Sequence, residues 1–226
     1  MKRFSKIFAF MLMAAMTLGI MAQAQGLAAI GDAEDPLNEF IPYIEGFYGE
    51  DHEEYANFSE DGTDITEVVY RDTQDIAAQG DWEQVYRYFQ ENVTSTERTR
   101  VEYRRTRAMD IAKSQQKDFA IYNLRGLSGP DYKNCKCDAY FTLSGTIYYN
   151  PNTKVVSSVG GASMYNKRCN PTYCQLGGAS YSTSKSTYSG TITAKATPTW
   201  NVEAAGVPVG TVIYQQASGT MTIQAE

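Results

Sequence analysis

An abrupt change in hydrophobic periodicity near Gly126 limits the fold of this sequence more than any other feature. Downstream of it, apolar and polar residues alternate with a period of two. In the clearest run the apolar members are Phe141, Leu143 and Ile147. Successive side chains of a strand point to opposite faces, so this alternation predicts strands. A turn-forming sequence at 150–153 separates two such runs, which predicts a hairpin of 139–149 with 154–164.

The C-terminal part of the chain therefore has the character of an all-β domain. Residues 126–226 hold about six expected strands, the size of a β-sandwich or a small barrel. Residues 137–226 carry only 3 acidic and 5 basic side chains and are dense in Ser, Thr, Tyr and Gly. With the helical signals upstream, the sequence predicts an α+β fold, in which a helical N-terminal segment precedes a disulfide-tied antiparallel β-sandwich or small barrel.

Residues 65–125 are expected to form a helical region. Gly80 is suited to end a first helix and Asp81 to cap a second. A buried stripe at helical spacing follows, formed by Trp82, Val85, Tyr86 and Phe89. Thr94 with Glu97 fits a capping box for a third helix. The same stretch also contains residues that favour strands, namely Thr96, Thr99 and Tyr103.

The segment 25–64, which we call the front segment, is acidic and is expected to be irregular, because prolines and glycines interrupt it. Its aromatic and aliphatic residues make free disorder a poor interpretation, so it is expected to pack on the body or on a partner. Residues 25–80 carry 15 acidic side chains and one basic side chain. The arginine-rich run that follows, Arg98 to Arg107, is expected to pair with these acids inside one body rather than to bind a polyanion.

The first 24 residues have the pattern of a cleavable signal peptide. Lys2, Arg3 and Lys6 precede an uncharged apolar run, and Ala22-Gln23-Ala24 fits the small-x-small cleavage site. The apolar run is short for a membrane anchor, and no later stretch is apolar enough to span a bilayer. We therefore expect an exported protein, periplasmic or extracellular, whose mature chain begins at Gln25 and has no transmembrane segment.

The charge balance of the mature chain disfavours nucleic acid as a partner. Cleavage removes three of the 20 basic residues and none of the 26 acidic residues, which leaves a net charge of −9. Phosphate repels a surface of this sign.

All four cysteines lie in the C-terminal half, at positions 135, 137, 169 and 174. An even number in an exported chain predicts two disulfides. The predicted hairpin places Cys135 nearly opposite Cys169, which favours Cys135–Cys169 with Cys137–Cys174, although three pairings are possible. A zinc site is the weaker alternative, because C-x-C is not a usual ligand spacing and zinc sites prefer a reducing compartment.

No motif of the sequence names a reaction or requires a cofactor. His52 is the only histidine, and position 56 is alanine, so an H-E-x-x-H zinc site is excluded. No G-x-S-x-G and no phosphate-binding loop occurs. Residues 57–63 resemble the start of a calcium loop, but Val68 stands where a bidentate glutamate is needed.

Tyrosines are the most suggestive feature of the C-terminal part. Tyrosine on a sheet favours strand formation, and it also stacks on sugars or anchors protein interfaces. The candidates for a binding surface are Tyr140, Tyr148, Tyr181 and Tyr188.

The sequence is most consistent with a secreted, non-enzymatic binding or structural surface protein whose partner is a protein or a carbohydrate. One alternative is an extracytoplasmic hydrolase that uses two carboxylates of the front segment. Another is a membrane-acting β-toxin, because 142–164 and 180–195 alternate as pore-lining strands do.

Overall fold

The computed structural model describes residues 35–105, 110–204 and 206–226. The expected signal peptide and its cleavage site lie outside these residues. The described elements, in chain order, are α1 Leu37–Ile44, β1 Tyr55–Phe58, α2 Thr66–Ala78, α3 Trp82–Asn92, β2 Ser95–Arg105, β3 Ile111–Ser128, β4 Lys136–Tyr149, β5 Val156–Asn170, β6 Gln175–Lys185, β7 Ser189–Ala204, β8 Val207–Tyr214 and β9 Ala217–Gln224, with short 3-10 turns at Glu45–Tyr48, His52–Glu54 and Tyr132–Asn134.

The strands form two antiparallel sheets that share β3. The first sheet has the order β1-β2-β3-β4-β5. In the second sheet the end of β3 pairs with β8, β8 pairs with β7, and β7 also pairs with β6 and β9. We call the face of the first sheet that meets the second sheet its inner face, and the opposite side its outer face. The fold is therefore α+β and mostly antiparallel, as predicted.

Alternation along β3 and β4 feeds a separate hydrophobic core on each face of the first sheet. On the inner face, Phe119, Phe141 and Leu143 join the inter-sheet core with Ile192 and other second-sheet residues. On the outer face, residues one position away join a helix-side core with the three helices; its sheet members are Ala120, Tyr122 and Tyr140. The molecule is thus layered as helices, first sheet and second sheet.

The predicted buried stripe of Trp82, Val85, Tyr86 and Phe89 is confirmed. Asp81 Oδ1 accepts a hydrogen bond from Gln84 N at 3.1 Å, so Asp81 caps α3. Val85 and Phe89 are fully buried, and the Phe89 ring lies 5.9 Å from that of Tyr122 on β3. The stripe therefore attaches the helices to the sheet.

The predicted third helix is wrong, because residues 95–105 and 111–128 are strands. The groups of the expected capping box bond across strands. Thr94 N donates to Phe58 O at 2.8 Å, and Glu97 forms an ion pair with Lys117. Sheet pairing therefore prevails over a local helix signal, and the continuous run of strands begins at Ser95, about thirty residues earlier in the chain than the periodicity suggested.

The acidic front segment is more regular than expected. Its described part contains α1, two 3-10 turns and β1. Phe40, Ile44 and Phe47 are fully buried, which confirms that this segment packs on the body.

The face of the second sheet that is directed away from the first sheet is rich in exposed or half-exposed hydroxyl groups. Thr191 and Thr193 of β7 lie beside Thr222 and Thr220 of β9, with oxygen separations of 3.3 and 3.1 Å. No helix among the described residues packs on this face, and the helical layer lies on the other side of the molecule.

Candidate functional site

A polar cavity of about 200 Å³ opens on the outer face of the first sheet, beside the C-terminal half of α1. We call it the arginine cavity. Its lining residues come from α1 and from strands β2 to β5, and they are Pro42, Tyr43, Arg98, Arg100, Asp118, Tyr140, Phe141, Thr142, Asn166 and Arg168. Alternation places the polar members there, because side chains two apart on one strand share a face.

Arg98 stands at one end of the cavity and is held by two carboxylates. Its Nη2 donates to Asp51 Oδ2 at 2.6 Å, and its Nε donates to Glu54 Oε2 at 2.7 Å. The guanidinium also lies 5.2 Å from the centre of the Tyr55 ring. This arrangement supports the interpretation that the arginine run pairs with front-segment acids.

Asp118 is the only carboxylate among the described lining residues, and both of its oxygens are occupied. Arg100 Nη2 donates to Oδ2 at 2.5 Å, and the Thr142 hydroxyl donates to Oδ1 at 2.7 Å. Asn166 Nδ2 in turn donates to the Thr142 hydroxyl at 3.3 Å. The floor of the cavity is therefore a connected hydrogen-bond network across β2, β3, β4 and β5.

Arg168 pairs with Glu39 of α1, which joins the helix to β5 at the other end of the cavity. Asn166 has φ +50°, a conformation that asparagine tolerates better than most residues, and this bend in β5 places residues 166 and 168 on the cavity side.

Tyr140 forms part of the cavity wall and is 1% exposed. Among the described residues no group forms a hydrogen bond with its hydroxyl. Burial raises the pKa of Tyr140 well above its ordinary value, so the phenol keeps its proton. An unpaired buried hydroxyl costs about 1–3 kcal/mol, and this one is enclosed by the helix-side core and is not exposed to the cavity.

The sequence-based tyrosine surface is only partly supported by the geometry. Tyr140 is buried in the helix-side core, so its assignment to an exposed binding surface is wrong. Position along β4 explains the error: Tyr140 and Tyr148 are on the same face, but Tyr140 lies beneath the helices and Tyr148 lies beyond them.

The other three tyrosines are exposed, and they lie in different places. Tyr148 is on the outer face of β4, Tyr181 is on edge strand β6, and Tyr188 is in the turn before β7. The Tyr181 hydroxyl accepts a hydrogen bond from Met164 N of β5 at 3.3 Å, so Tyr181 closes one edge between the sheets. The structure therefore does not join the predicted tyrosines into one surface.

The four cysteines lie at one end of the inter-sheet core and are present as thiols. The predicted register was wrong: Tyr149 pairs with Val156, and three irregularities then shift the strands until Cys169 lies opposite Ala139. Cys135 is four residues from that position, about 13 Å along a strand, which is beyond disulfide reach. The Cys135–Cys169 pair is therefore incompatible with this geometry.

Cys137 and Cys174 are adjacent. The hydrogen bond that their side chains share is the largest cause of two pKa shifts, because it lowers the pKa of Cys174 and raises that of Cys137. The described part of the chain contains no group of three or more histidine, cysteine or acidic side chains placed to hold a metal ion.

The candidate catalytic residue His52 of the front segment takes part in local interactions. His52 Nδ1 lies 2.8 Å from Phe47 O, and the imidazole stacks on the Phe47 ring at 4.9 Å. A shallow cavity of about 460 Å³ near His52 includes the carboxylates of Glu53, Asp64 and Glu67.

The calcium-like loop is also internally bonded. Asp61 Oδ1 accepts hydrogen bonds from the Ser59 hydroxyl at 2.6 Å and from Thr63 N at 3.0 Å. These bonds, that from Ser59 foremost, lower the pKa of Asp61 to about 2. Asn57 is buried in β1 and accepts from the Thr96 hydroxyl, so it is directed away from the loop.

No protein-family model matches this chain, and no curated protein and no solved structure is similar enough to it to count as a match. No helix within the described ranges is both long enough and apolar enough to cross a membrane.

Sequence reasoning missed the arginine cavity, although it singled out two of its members within the arginine run. The signal that was available is the alternation of Arg98 and Arg100, which places both side chains on one face once the segment is a strand. Because a third helix was expected there, the two arginines were not placed on a shared sheet face with Asp118, Thr142 and Asn166.

Proposed function

We propose that this chain is an exported, non-enzymatic binding protein, and that the arginine cavity is its binding site. The observation that carries the proposal is the hydrogen-bond network of Asp118 with Arg100 and Thr142. It fixes polar groups at the base of a concave site, which is the arrangement of a recognition site.

The same network argues against hydrolysis in this cavity. A glycosidase requires two carboxylates on opposite sides of the scissile bond, and the part of the lining that the structure describes holds one, Asp118. Both Asp118 oxygens already accept hydrogen bonds, so the carboxylate orients neighbouring donors instead of attacking or taking a proton.

The test is to titrate the mature protein with small polar ligands while following its amide and arginine side-chain resonances by NMR. The panel contains neutral hexoses, glucuronate, acetate, inorganic phosphate and glycine. We expect at least one ligand to shift resonances of Asn166 and the cavity arginines and to be recovered unchanged.

Two outcomes would favour the alternatives. Turnover of chromogenic glycosides or esters that is lost in Glu67→Gln would indicate a hydrolase at the His52 cavity. Leakage of dye from liposomes would indicate a β-toxin. The β4–β5 hairpin buries Leu143, Ile147 and Val156 in the inter-sheet core, so pore formation would require this core to open.

We also propose that export oxidises Cys137 and Cys174 to one disulfide. The side chains already share a hydrogen bond, and the lowered pKa of Cys174 favours the thiolate that begins thiol–disulfide exchange. The step releases two protons and transfers two electrons to a disulfide-bearing oxidant of the export compartment.

Peptide mapping of non-reduced, alkylated exported protein should recover one peptide that links 137 to 174, with Cys135 and Cys169 alkylated. A linked peptide that joins Cys135 to Cys174 would overturn this assignment.

A further inference from the structure

We propose that the arginine cavity accepts a single neutral sugar ring, which deepens and rests on the proposed role as a binding protein. The inference combines the charge balance of the site, its hydrogen-bond capacity and its size.

Charge balance argues against a free anion as the ligand. The three guanidinium groups of the cavity face four carboxylates that they contact directly: Arg98 meets Asp51 and Glu54, Arg100 meets Asp118, and Arg168 meets Glu39. The sum over these groups is −1. An anion would therefore gain little Coulombic attraction on entering, in contrast to sites whose arginines lack carboxylate neighbours.

Hydrogen-bond capacity favours a ligand that both donates and accepts. Each guanidinium has five N–H donors, and the contacts with carboxylates use only one or two of them. The Asn166 amide donates to Thr142 and retains a carbonyl oxygen as an acceptor. Ring hydroxyls donate and accept at once, so a sugar matches this mixture better than an ionised carboxylate, which only accepts, or a phosphate, most of whose oxygens only accept.

The size of the cavity restricts the ligand to one ring. A volume of about 200 Å³ equals roughly seven water molecules at about 30 Å³ each, which is below the usual range for drug-sized ligands. Tyr165 lies opposite the lining residue Thr142 in the β4–β5 pairing and is half-buried. Its ring supplies an apolar surface for the C–H side of a sugar.

The experiment is saturation-transfer NMR on the mature protein with glucose, galactose, mannose and N-acetylglucosamine, and with glucuronate, acetate and inorganic phosphate as charged probes. We expect transfer to at least one neutral sugar, with a Kd on the order of millimolar for so small a ligand. Asn166→Gly keeps the positive φ and removes the amide, so it should weaken binding by about tenfold. Arg100→Gln should weaken it at least as much.

Arg104→Gln is the matched control, because Arg104 lies on the same face of β2 four residues along and outside the cavity lining. It should bind as the wild type does. Tyr140→Phe is a second control: its hydroxyl is not exposed to the cavity, so the variant should bind as the wild type does and should leave the unfolding midpoint unchanged or slightly higher.

The outcomes separate this inference from the proposed function. Binding of only acetate, glucuronate or phosphate, with loss in Arg100→Gln, would overturn the sugar and keep the binding role. Neutral-sugar binding unaffected by Asn166→Gly and Arg100→Gln would overturn the placement in this cavity. If no probe binds, both proposals are wrong.

Discussion

The two cores on opposite faces of the first sheet are built in different ways. The helix-side core is aromatic: Phe40 contacts Tyr86, Phe89 and Tyr122 edge to face at 5.0–6.4 Å between ring centres. Tyrosine hydroxyls within it bond to the backbone, as Tyr43 does to Thr96 O at 2.9 Å. Large rings span the gap between helices and sheet, and their hydroxyls fix the orientation of each element.

The inter-sheet core instead brings two backbones close together. A Cβ atom on Gly145 would lie 1.8 Å from Ile192 Cδ1, and one on Gly190 would lie 2.5 Å from Ile147 Cγ2. Ala194 and Ala196 are fully buried beside them. The helix-side core therefore depends on large side chains, whereas the inter-sheet core depends on their exclusion at a few positions.

The largest expected effect comes from truncating a helix-side ring. Phe89→Ala should lower the free energy of unfolding by about 3–5 kcal/mol, because it removes buried apolar surface and leaves a cavity. Tyr188→Ala, at an exposed turn position, should change it by less than about 0.5 kcal/mol. Urea unfolding followed by fluorescence measures both, and equal values for the two variants would contradict this view of the helix-side core.

The complementary change enlarges a residue between the sheets. Gly190→Ala should cost about 1–3 kcal/mol, because the methyl group meets β-branched side chains of Ile147 and Val159 that have little freedom to move. Gly160→Ala on β5 is the control, since no atom lies within 4 Å of the point that its new methyl group would occupy. Comparing the thermal unfolding of Gly190→Ala and Gly160→Ala distinguishes the close approach of the two sheets from a general intolerance of alanine in the strands.

A smaller effect is expected from the ion pairs that join the front segment to the first sheet. Arg98→Gln removes partly buried bonds to Asp51 and Glu54 and should cost about 1–2 kcal/mol. Arg87→Gln removes an exposed pair with Glu83 and should cost less than about 0.5 kcal/mol. If the two losses are equal in denaturant titrations, front-segment pairing is not a stabilising feature of the helix-side layer.

The smallest effect concerns a buried carboxylate of the helix-side layer. Asp138 accepts hydrogen bonds from Tyr86, Gln90 and Asn123, and burial raises its pKa despite them. The folded state then holds this proton more tightly than the unfolded state. Its contribution to stability falls as pH rises from the unfolded pKa to the raised folded pKa.

The difference in unfolding free energy between the wild type and Asp138→Asn, measured from about pH 4 to pH 8, should therefore drift against the wild type as pH rises. Glu203→Gln, at an exposed position on β7, should produce no such drift. A drift in the opposite direction would show that the hydrogen bonds outweigh burial.

The arginine cavity shows how far sequence alone could reach. Arg98 and Arg100 stood out, and the expected pairing with front-segment acids holds for Arg98, whereas Arg100 pairs with Asp118 of β3. Their placement on one sheet face with Asn166 was not accessible, because the contact crosses three strand pairings and a bend in β5. The disulfide prediction failed at Cys169 for a related reason: each irregularity in β4–β5 shifts the register, and periodicity does not count them.

The sequence by itself determined the α+β class, the β4–β5 hairpin, the capped α3 and the burial of Phe89, because these depend on local spacing, turn chemistry and one amphipathic face. Only the tertiary structure decided that 95–105 and 111–128 are strands. Their backbone groups find partners in β1 and β4, and that long-range pairing outweighs a local helix preference of a few tenths of a kcal/mol per residue. The same pairing buries Tyr140 beneath the helices and creates the cavity at their edge.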